Sequence, residues 1–165
     1  KWAGASMVAI ATRSKLARDL ALSSGIDIAI DSSQEDVAGR LMEATHGLGP
    51  DVAFDAVGGG QRYAQKGIEL VRRGRKVGVL GGFPAQRTDL GGDYLIKEVA
   101  LVACFSYARW GAISEFQIAL DGLADGKFNG RQYISRRFPL DEIAQAFEAA
   151  QHKDGQDAIK VSIVF

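Results

Sequence analysis

A basic residue stands where the first apolar segment of the chain ends, in the stretch VAIATRSKLA at residues 8–17. Arg13 follows Thr12 there, and Ser14 and Lys15 come next. A planar guanidinium can donate two parallel hydrogen bonds to phosphate oxygens and can stack on an aromatic base. A hydroxyl and a second cation beside it suit the same ligand. The types and spacing of these residues therefore indicate a phosphate site, provided that the fold presents them at the end of a strand.

Short apolar segments alternate with amphipathic segments along the chain, and this alternation predicts the fold. Strands are predicted at 7–11, 26–31, 51–57, 76–80 and 100–107, and helices at 14–24, 33–46, 62–73 and 112–123. An extended segment at 131–140, a helix capped by Asp141 and a closing strand within 158–165 follow. Strands that alternate with helices need right-handed crossovers and a parallel sheet. The predicted fold class is α/β, a doubly wound parallel sheet of the Rossmann type.

The composition is that of an ordinary globular domain. The 165 residues are 47% hydrophobic and 24% charged, and 20 basic residues balance 20 acidic ones. No overall field therefore draws the chain toward nucleic acid or a membrane surface. Cys104 is the only cysteine, which excludes an internal disulfide and a multi-cysteine zinc cluster and suits the cytoplasm. We expect a cytoplasmic protein whose function depends on a local site.

The expected site lies where the strands end, because ligands of open α/β sheets bind at the carboxyl ends of the strands. The loops concerned follow residues 11, 55, 80 and 105. The usual G-x-G-x-x-G fingerprint is absent, since HGLGPD, GGGQRY and GVLGGF fail on spacing or context. His46 and His152 have no partners at metal-ligand or relay spacing, and Asp55 suits a positional role. We predict no catalytic residue and no metal ligand within this sequence.

Five ordered blocks resemble the cofactor-binding half of the medium-chain dehydrogenase/reductases, the family of zinc-containing alcohol and polyol dehydrogenases. They are KWAGAS with the strand and TRS that follow it, THGLGPDVAFDAVG, ELVRRGRKVGVLGG, RRFPLDEIAQAFEAAQ and AIKVSIVF. The resemblance implies that residues 1–165 form a dinucleotide-binding domain, the C-terminal part of a larger chain, with 131–165 packing toward a substrate domain. It also implies that the first Rossmann strand and its glycine-rich loop precede Lys1. That strand would lie between the strands that begin near Met7 and Asp51.

The resemblance gives the residues around Arg13 a specific role. In dinucleotide folds the tip of the second strand meets the adenosine ribose, where a carboxylate binds the 2′-hydroxyl of NAD. The resemblance places the uncharged Thr12 at that position, and Arg13, Ser14 and Lys15 beside it suit the 2′-phosphate of NADP. It therefore implies NADP as cofactor, with NAD as the alternative. The alternative to a phosphate-binding role is that Arg13 is simply a solvated residue at the start of a helix. The helix dipole disfavours a cation at that position unless an anion lies nearby.

The resemblance implies further cofactor contacts at three strand ends and at one lysine. They are Ala56, Val57 and Gly58 at the adenosine, Leu80, Gly81 and Gly82 on the nicotinamide side, Cys104, Phe105 and Ser106 at the carboxamide, and Lys160 toward the pyrophosphate. Each set has a plainer alternative: a tight turn for the first two, an edge strand used in dimerisation for the third, and a surface lysine for the last.

For the intact protein, the resemblance implies hydride transfer between NADP(H) and an alcohol or polyol, or its carbonyl. A zinc ion held by the absent N-terminal half would assist, and the chain by itself would be inactive. The implied partners are a small-molecule alcohol or carbonyl and further copies of the chain, as a dimer or tetramer. Nucleic acid and membranes are not expected. The alternatives are a zinc-free quinone or enone reductase of the same superfamily and a non-catalytic nucleotide-binding module.

Overall fold

A computed structural model describes residues 1–58, 63–82, 90–105, 107–151 and 158–165. The chain divides into two compact units, Lys1–Val37 with Phe116–Phe165, and Ala38–Glu115. The helices and strands, in chain order, are β1 (Ala9–Thr12), α1 (Lys15–Ser23), β2 (Ile28–Asp31), α2 (Val37–Ala44), β3 (Val52–Asp55), α3 (Tyr63–Leu70), β4 (Lys76–Val79), α4 (Asp93–Ile96), β5 (Ala100–Ala103), β6 (Arg109–Trp110), β7 (Ile113–Ser114), α5 (Glu115–Ala124), β8 (Ile134–Pro139), α6 (Ile143–Gln151) and β9 (Lys160–Val164). No described helix is long and apolar enough to cross a membrane.

The first unit begins with a β-α-β segment formed by β1, α1 and β2. The two strands pair in parallel, with Thr12 opposite Asp31 at their carboxyl ends. Helix α1 starts where it does because the Oγ of Ser14 accepts a hydrogen bond from the backbone N–H of Ala17 at 3.2 Å, which caps the helix. Gly25, with φ of +87°, follows the helix in a conformation that favours glycine. The sequence therefore fixes both ends of the helix that follows the candidate phosphate site.

The rest of the first unit contains α5 from Phe116 onward, followed by β8, α6 and β9. Strands β8 and β9 pair in parallel, with Ile134 opposite Lys160, and the connection between them includes α6. Ala146 and Ala149 of α6 are buried, so this helix packs through small residues. The predicted cap at Asp141 is wrong. Pro139 precedes a short 3₁₀ turn at Leu140–Glu142, and Asp141 lies inside that turn.

The second unit is built on the parallel sheet β3-β4-β5. Val77 of β4 and Ile68 and Val71 beside it are fully buried and form the centre of its core. Gly67 lets α3 approach the sheet closely, since a Cβ there would lie 3.0 Å from a methyl carbon of Val77. The register places Asp55, Val79 and Ala103 side by side at the carboxyl ends of the three strands.

The predicted alternation of strands and helices is confirmed, and the differences are local. Strand β5 ends at Ala103 rather than at residue 107, where Tyr107 has a φ of +100° that is incompatible with an extended strand. A two-residue antiparallel hairpin, β6-β7, was not predicted, because such short strands show no periodicity. Among the described residues β1 pairs only with β2, and β3 pairs only with β4.

Candidate functional site

The tip of β1 presents the predicted basic residue as expected. Arg13 is exposed and is the first residue beyond the strand, while Thr12 is half-buried. The Thr12 Oγ1 accepts a hydrogen bond from the backbone N–H of Ser14 at 3.3 Å, so its hydroxyl is already engaged in the turn. The first turn of α1 has no acidic side chain. We define residues 12–15 as the β1 tip. An anion bound there would meet cationic side chains and hydroxyl groups, and the first turn of α1 adds no carboxylate.

A second arginine organises the backbone of the β1 tip. The Nη1 of Arg18 donates hydrogen bonds to the carbonyl oxygens of Thr12 and Arg13, both at 2.8 Å. Its Nη2 lies 2.7 Å from the Oδ2 of Asp31, and the Arg18 side chain is only 16% exposed. This residue was not predicted as part of the site. In the sequence, this ion pair could be suspected only because α1 contains a basic residue, Arg18, and β2 ends with an acidic one, Asp31.

The carboxylates near the β1 tip have partners of their own. Hydrogen bonds from the side chain and backbone N–H of Ser33, and then the charge of Arg18, hold the pKa of Asp31 below its ordinary value. The Nζ of Lys15 lies 2.6 Å from the Oδ2 of Asp19, one turn further along α1, and both side chains are exposed. Lys15 therefore brings less unbalanced charge to the tip than its sequence position indicates.

At the carboxyl end of β3, Asp55 joins two loops. Its Oδ1 accepts hydrogen bonds from the N–H groups of Val57 and Gly58, both at 3.0 Å. Its backbone carbonyl accepts from the N–H groups of Leu80 at 2.8 Å and Gly81 at 3.0 Å. Asp55 is 4% exposed and is the one buried charged residue among those described, and its Oδ2 has no hydrogen-bond partner there. This geometry agrees with the positional role expected of it.

The loop after β3 and the loop after β4 touch through glycine backbone. A Cβ on Gly81 would lie 2.2 Å from the nitrogen of Gly58, and a Cβ on Gly58 would lie 2.4 Å from the carbonyl oxygen of Gly82. Gly58 also has a φ of +64°, which favours glycine. The structure thus brings together two of the predicted sets of cofactor contacts, 56–58 and 80–82. We refer to these residues together as the glycine junction.

The remaining predicted residues are placed as follows. Val57 and Leu80 belong to the glycine junction, and their side chains are 67% and 54% exposed. Cys104 is half-buried after β5, its N–H donating to the carbonyl of Val79 at 2.8 Å, and Phe105 is 81% exposed. Lys160 is exposed at the start of β9. Ser106 lies outside the described residues. Exposed apolar side chains beside a glycine backbone are suited to contact a flat ligand.

The described residues contain no group of three or more histidine, cysteine, aspartate or glutamate side chains that could hold a metal ion. They therefore do not fit a zinc site, and no metal ligand is assigned to them.

Comparison with known proteins places these features in a family. Residues 1–125 match the family model of zinc-binding dehydrogenases. The D-arabitol-phosphate dehydrogenase of Enterococcus avium is 29% identical over 130 residues, which cover 78% of this chain and 36% of that protein.

Two solved structures share the fold. A protein of Sinorhizobium meliloti 1021 assigned as a zinc-binding dehydrogenase, solved bound to NADP, is 26% identical with a TM-score of 0.80, over 99% of this chain and 46% of that one. A short chain alcohol dehydrogenase of Escherichia coli CFT073, solved with NADH, is 21% identical with a TM-score of 0.78, over 97% and 45%. The likeness confirms the predicted Rossmann-like α/β fold. The chain spans less than half the length of each of these relatives.

Proposed function

Because the chain belongs to the zinc-binding dehydrogenase family, we propose that its protein is an oxidoreductase that binds a nicotinamide dinucleotide and prefers NADP to NAD. The observation that carries the preference is the β1 tip, where Arg13 is exposed and the first turn of α1 has no acidic side chain. The proposed reaction is hydride transfer between the cofactor and an alcohol or polyol, or its carbonyl. The curated relative named for a polyol phosphate substrate supports this class.

The preference follows from the charge that the β1 tip offers. A 2′-phosphate carries about −1.5 to −2 charges on three terminal oxygen atoms, and a guanidinium can donate two parallel hydrogen bonds to two of them. A charge-assisted hydrogen bond of this kind contributes about 1.5 to 3 kcal/mol, which corresponds to about one to two orders of magnitude in affinity. An NAD-binding tip instead places a carboxylate on the ribose 2′-hydroxyl, and Thr12 carries none.

The dinucleotide supplies a hydride at the nicotinamide ring when it is bound. In this proposal Arg13 binds the 2′-phosphate, the hydroxyl of Ser14 lies beside it, and Lys15 adds a partly compensated charge. The glycine junction gives flat backbone surface where a side chain would obstruct a ligand. We also propose cofactor contacts for Cys104, Phe105, Ser106 and Lys160. Zinc assistance belongs to the proposal through the family alone, and no step is derived through it from these residues.

The cofactor preference is tested by replacing Arg13 with a carboxylate. We expect Arg13→Asp to lower the ratio of NADPH to NADH affinity by about 100-fold, because it removes the guanidinium and sets a negative charge against the phosphate. The ratio is obtained from dissociation constants measured by quenching of protein fluorescence. Arg137→Asp, which changes an exposed arginine on β8 in the same way, serves as control. An unchanged ratio in Arg13→Asp would overturn the assignment.

The activity itself is tested by NADPH formation with a panel of alcohols and polyols. Formation of NADPH that depends on one of them supports the proposed reaction. Absence of turnover together with retained NADPH binding would contradict it and favour a non-catalytic nucleotide-binding module. Metal analysis of the same preparation separates a zinc-assisted enzyme from a zinc-free one.

A further inference from the structure

Arg18 of α1 is bonded to the backbone of the β1 tip and to the carboxylate of Asp31. Its guanidinium donates to two consecutive backbone carbonyls, those of Thr12 and Arg13, and pairs with Asp31. With 16% of the side chain exposed, it is largely withdrawn from solvent. A guanidinium held in this way is poorly placed to bind a ligand directly. Its evident partner is the backbone that carries Arg13.

Two fixed carbonyls restrict the tip strongly. In planar trans peptides the N–H of each peptide points opposite to its C=O, and no cis peptide occurs in the described chain. Holding the carbonyls of Thr12 and Arg13 toward Arg18 therefore turns the N–H of Arg13 away from it. The same bonds limit rotation on both sides of the Arg13 Cα, which sets the direction in which its side chain leaves the backbone.

The charge of Arg18 is answered within the protein. The Nη2 of Arg18 lies 2.7 Å from the Oδ2 of Asp31. The Oδ1 of Asp31 accepts hydrogen bonds from the Oγ of Ser33 at 2.5 Å and from the Ser33 backbone N–H at 3.0 Å. Hydrogen bonds from Ser33 and the charge of Arg18 hold the pKa of Asp31 below its ordinary value, so Asp31 stays ionised to a more acidic pH than an ordinary aspartate. The ion pair therefore leaves Arg18 itself little net charge to present to a ligand.

We propose that Arg18 is a positioning residue for 2′-phosphate recognition, which fixes the backbone of Thr12 and Arg13 so that the Arg13 guanidinium is preorganised for the phosphate. The inference rests on the proposed NADP preference. Preorganisation raises affinity by removing the ordering cost at binding. Loss of Arg18 should consequently weaken a ligand that carries the 2′-phosphate more than one that lacks it. A role confined to stability would affect both ligands equally.

The test compares 2′,5′-ADP with 5′-AMP by calorimetric titration of the protein. The decisive variant is the double change Arg18→Met with Asp31→Asn, which removes one positive and one negative charge and so keeps the net charge of the tip. We expect it to lower the ratio of the two affinities by about tenfold. Asp31→Asn alone keeps the carbonyl bonds of Arg18 and should preserve the ratio or raise it.

Arg18→Lys provides a milder variant should the double variant fail to fold. It keeps the charge but lacks the planar fork, and it should lower the ratio about threefold. A double variant, or in its absence Arg18→Lys, that keeps the wild-type ratio would overturn the role of Arg18 while leaving the NADP preference standing. Equal affinities of the wild-type protein for 2′,5′-ADP and 5′-AMP would instead overturn the proposed NADP preference, and this inference with it.

Discussion

Gly81→Ala should destabilise the protein by at least about 3 kcal/mol, because the added Cβ meets backbone that cannot move independently. It would lie 2.2 Å from the nitrogen and 2.6 Å from the Cα of Gly58, and 2.7 Å from the carbonyl carbon of Val57. Relieving that contact separates the loops after β3 and β4. It also stretches the hydrogen bond from the Gly81 N–H to Asp55. Urea unfolding followed by circular dichroism measures the loss.

The neighbouring glycine provides a matched control. Among the described residues nothing lies within 4 Å of a Cβ on Gly82, so Gly82→Ala should change the free energy of unfolding by less than about 0.5 kcal/mol. The two variants add the same methyl group one residue apart in the same loop. Equal stabilities for Gly81→Ala and Gly82→Ala would show that the glycine junction is not close-packed as described.

Asp55→Ala should cost about 2 to 4 kcal/mol of stability. The change deprives the N–H groups of Val57 and Gly58 of their acceptor, and Gly58 is buried. A buried donor left without a partner costs about 1 to 3 kcal/mol. Asp55→Asn retains one acceptor oxygen and should lose less, although it places an amide N–H₂ where the Oδ2 of Asp55 has no partner among the described residues. Thermal or urea unfolding ranks the three proteins.

Asp51 is the matched control for Asp55, because it precedes the same strand at the opposite end. It is exposed and pairs with Arg72 and Arg75. Exposed ion pairs contribute little, so Asp51→Ala should cost less than about 1 kcal/mol. If Asp55→Ala were no more destabilising than Asp51→Ala, Asp55 would not hold the two loops together.

The sequence was most informative for features that depend only on consecutive residues. The end of β1 at Thr12, the exposure of Arg13 and the start of a helix just beyond them could be predicted, because an apolar run followed by a polar turn marks the end of a buried strand. The glycines of the glycine junction could be assigned to turns. Their mutual contact could not, since it depends on how β3 and β4 align in the sheet.

Arg18 shows why part of the site escaped prediction. On the sequence it is one more charged residue on an amphipathic helix, and most such residues are solvated. Its role depends on the return of β2 alongside β1, which brings Asp31 opposite Thr12. That register is a tertiary property. The hairpin β6-β7 was missed for a different reason, because its two-residue strands carry no periodic signal.

A crystal structure of the protein with bound 2′,5′-ADP would locate the 2′-phosphate site. We expect the 2′-phosphate to lie at the β1 tip, with guanidinium nitrogens of Arg13 about 2.7 to 2.9 Å from its oxygen atoms. We also expect the hydrogen bonds from Arg18 to the carbonyls of Thr12 and Arg13 to be kept. An adenosine ribose bound away from Arg13, or a 2′-phosphate held by other residues, would contradict the proposed site.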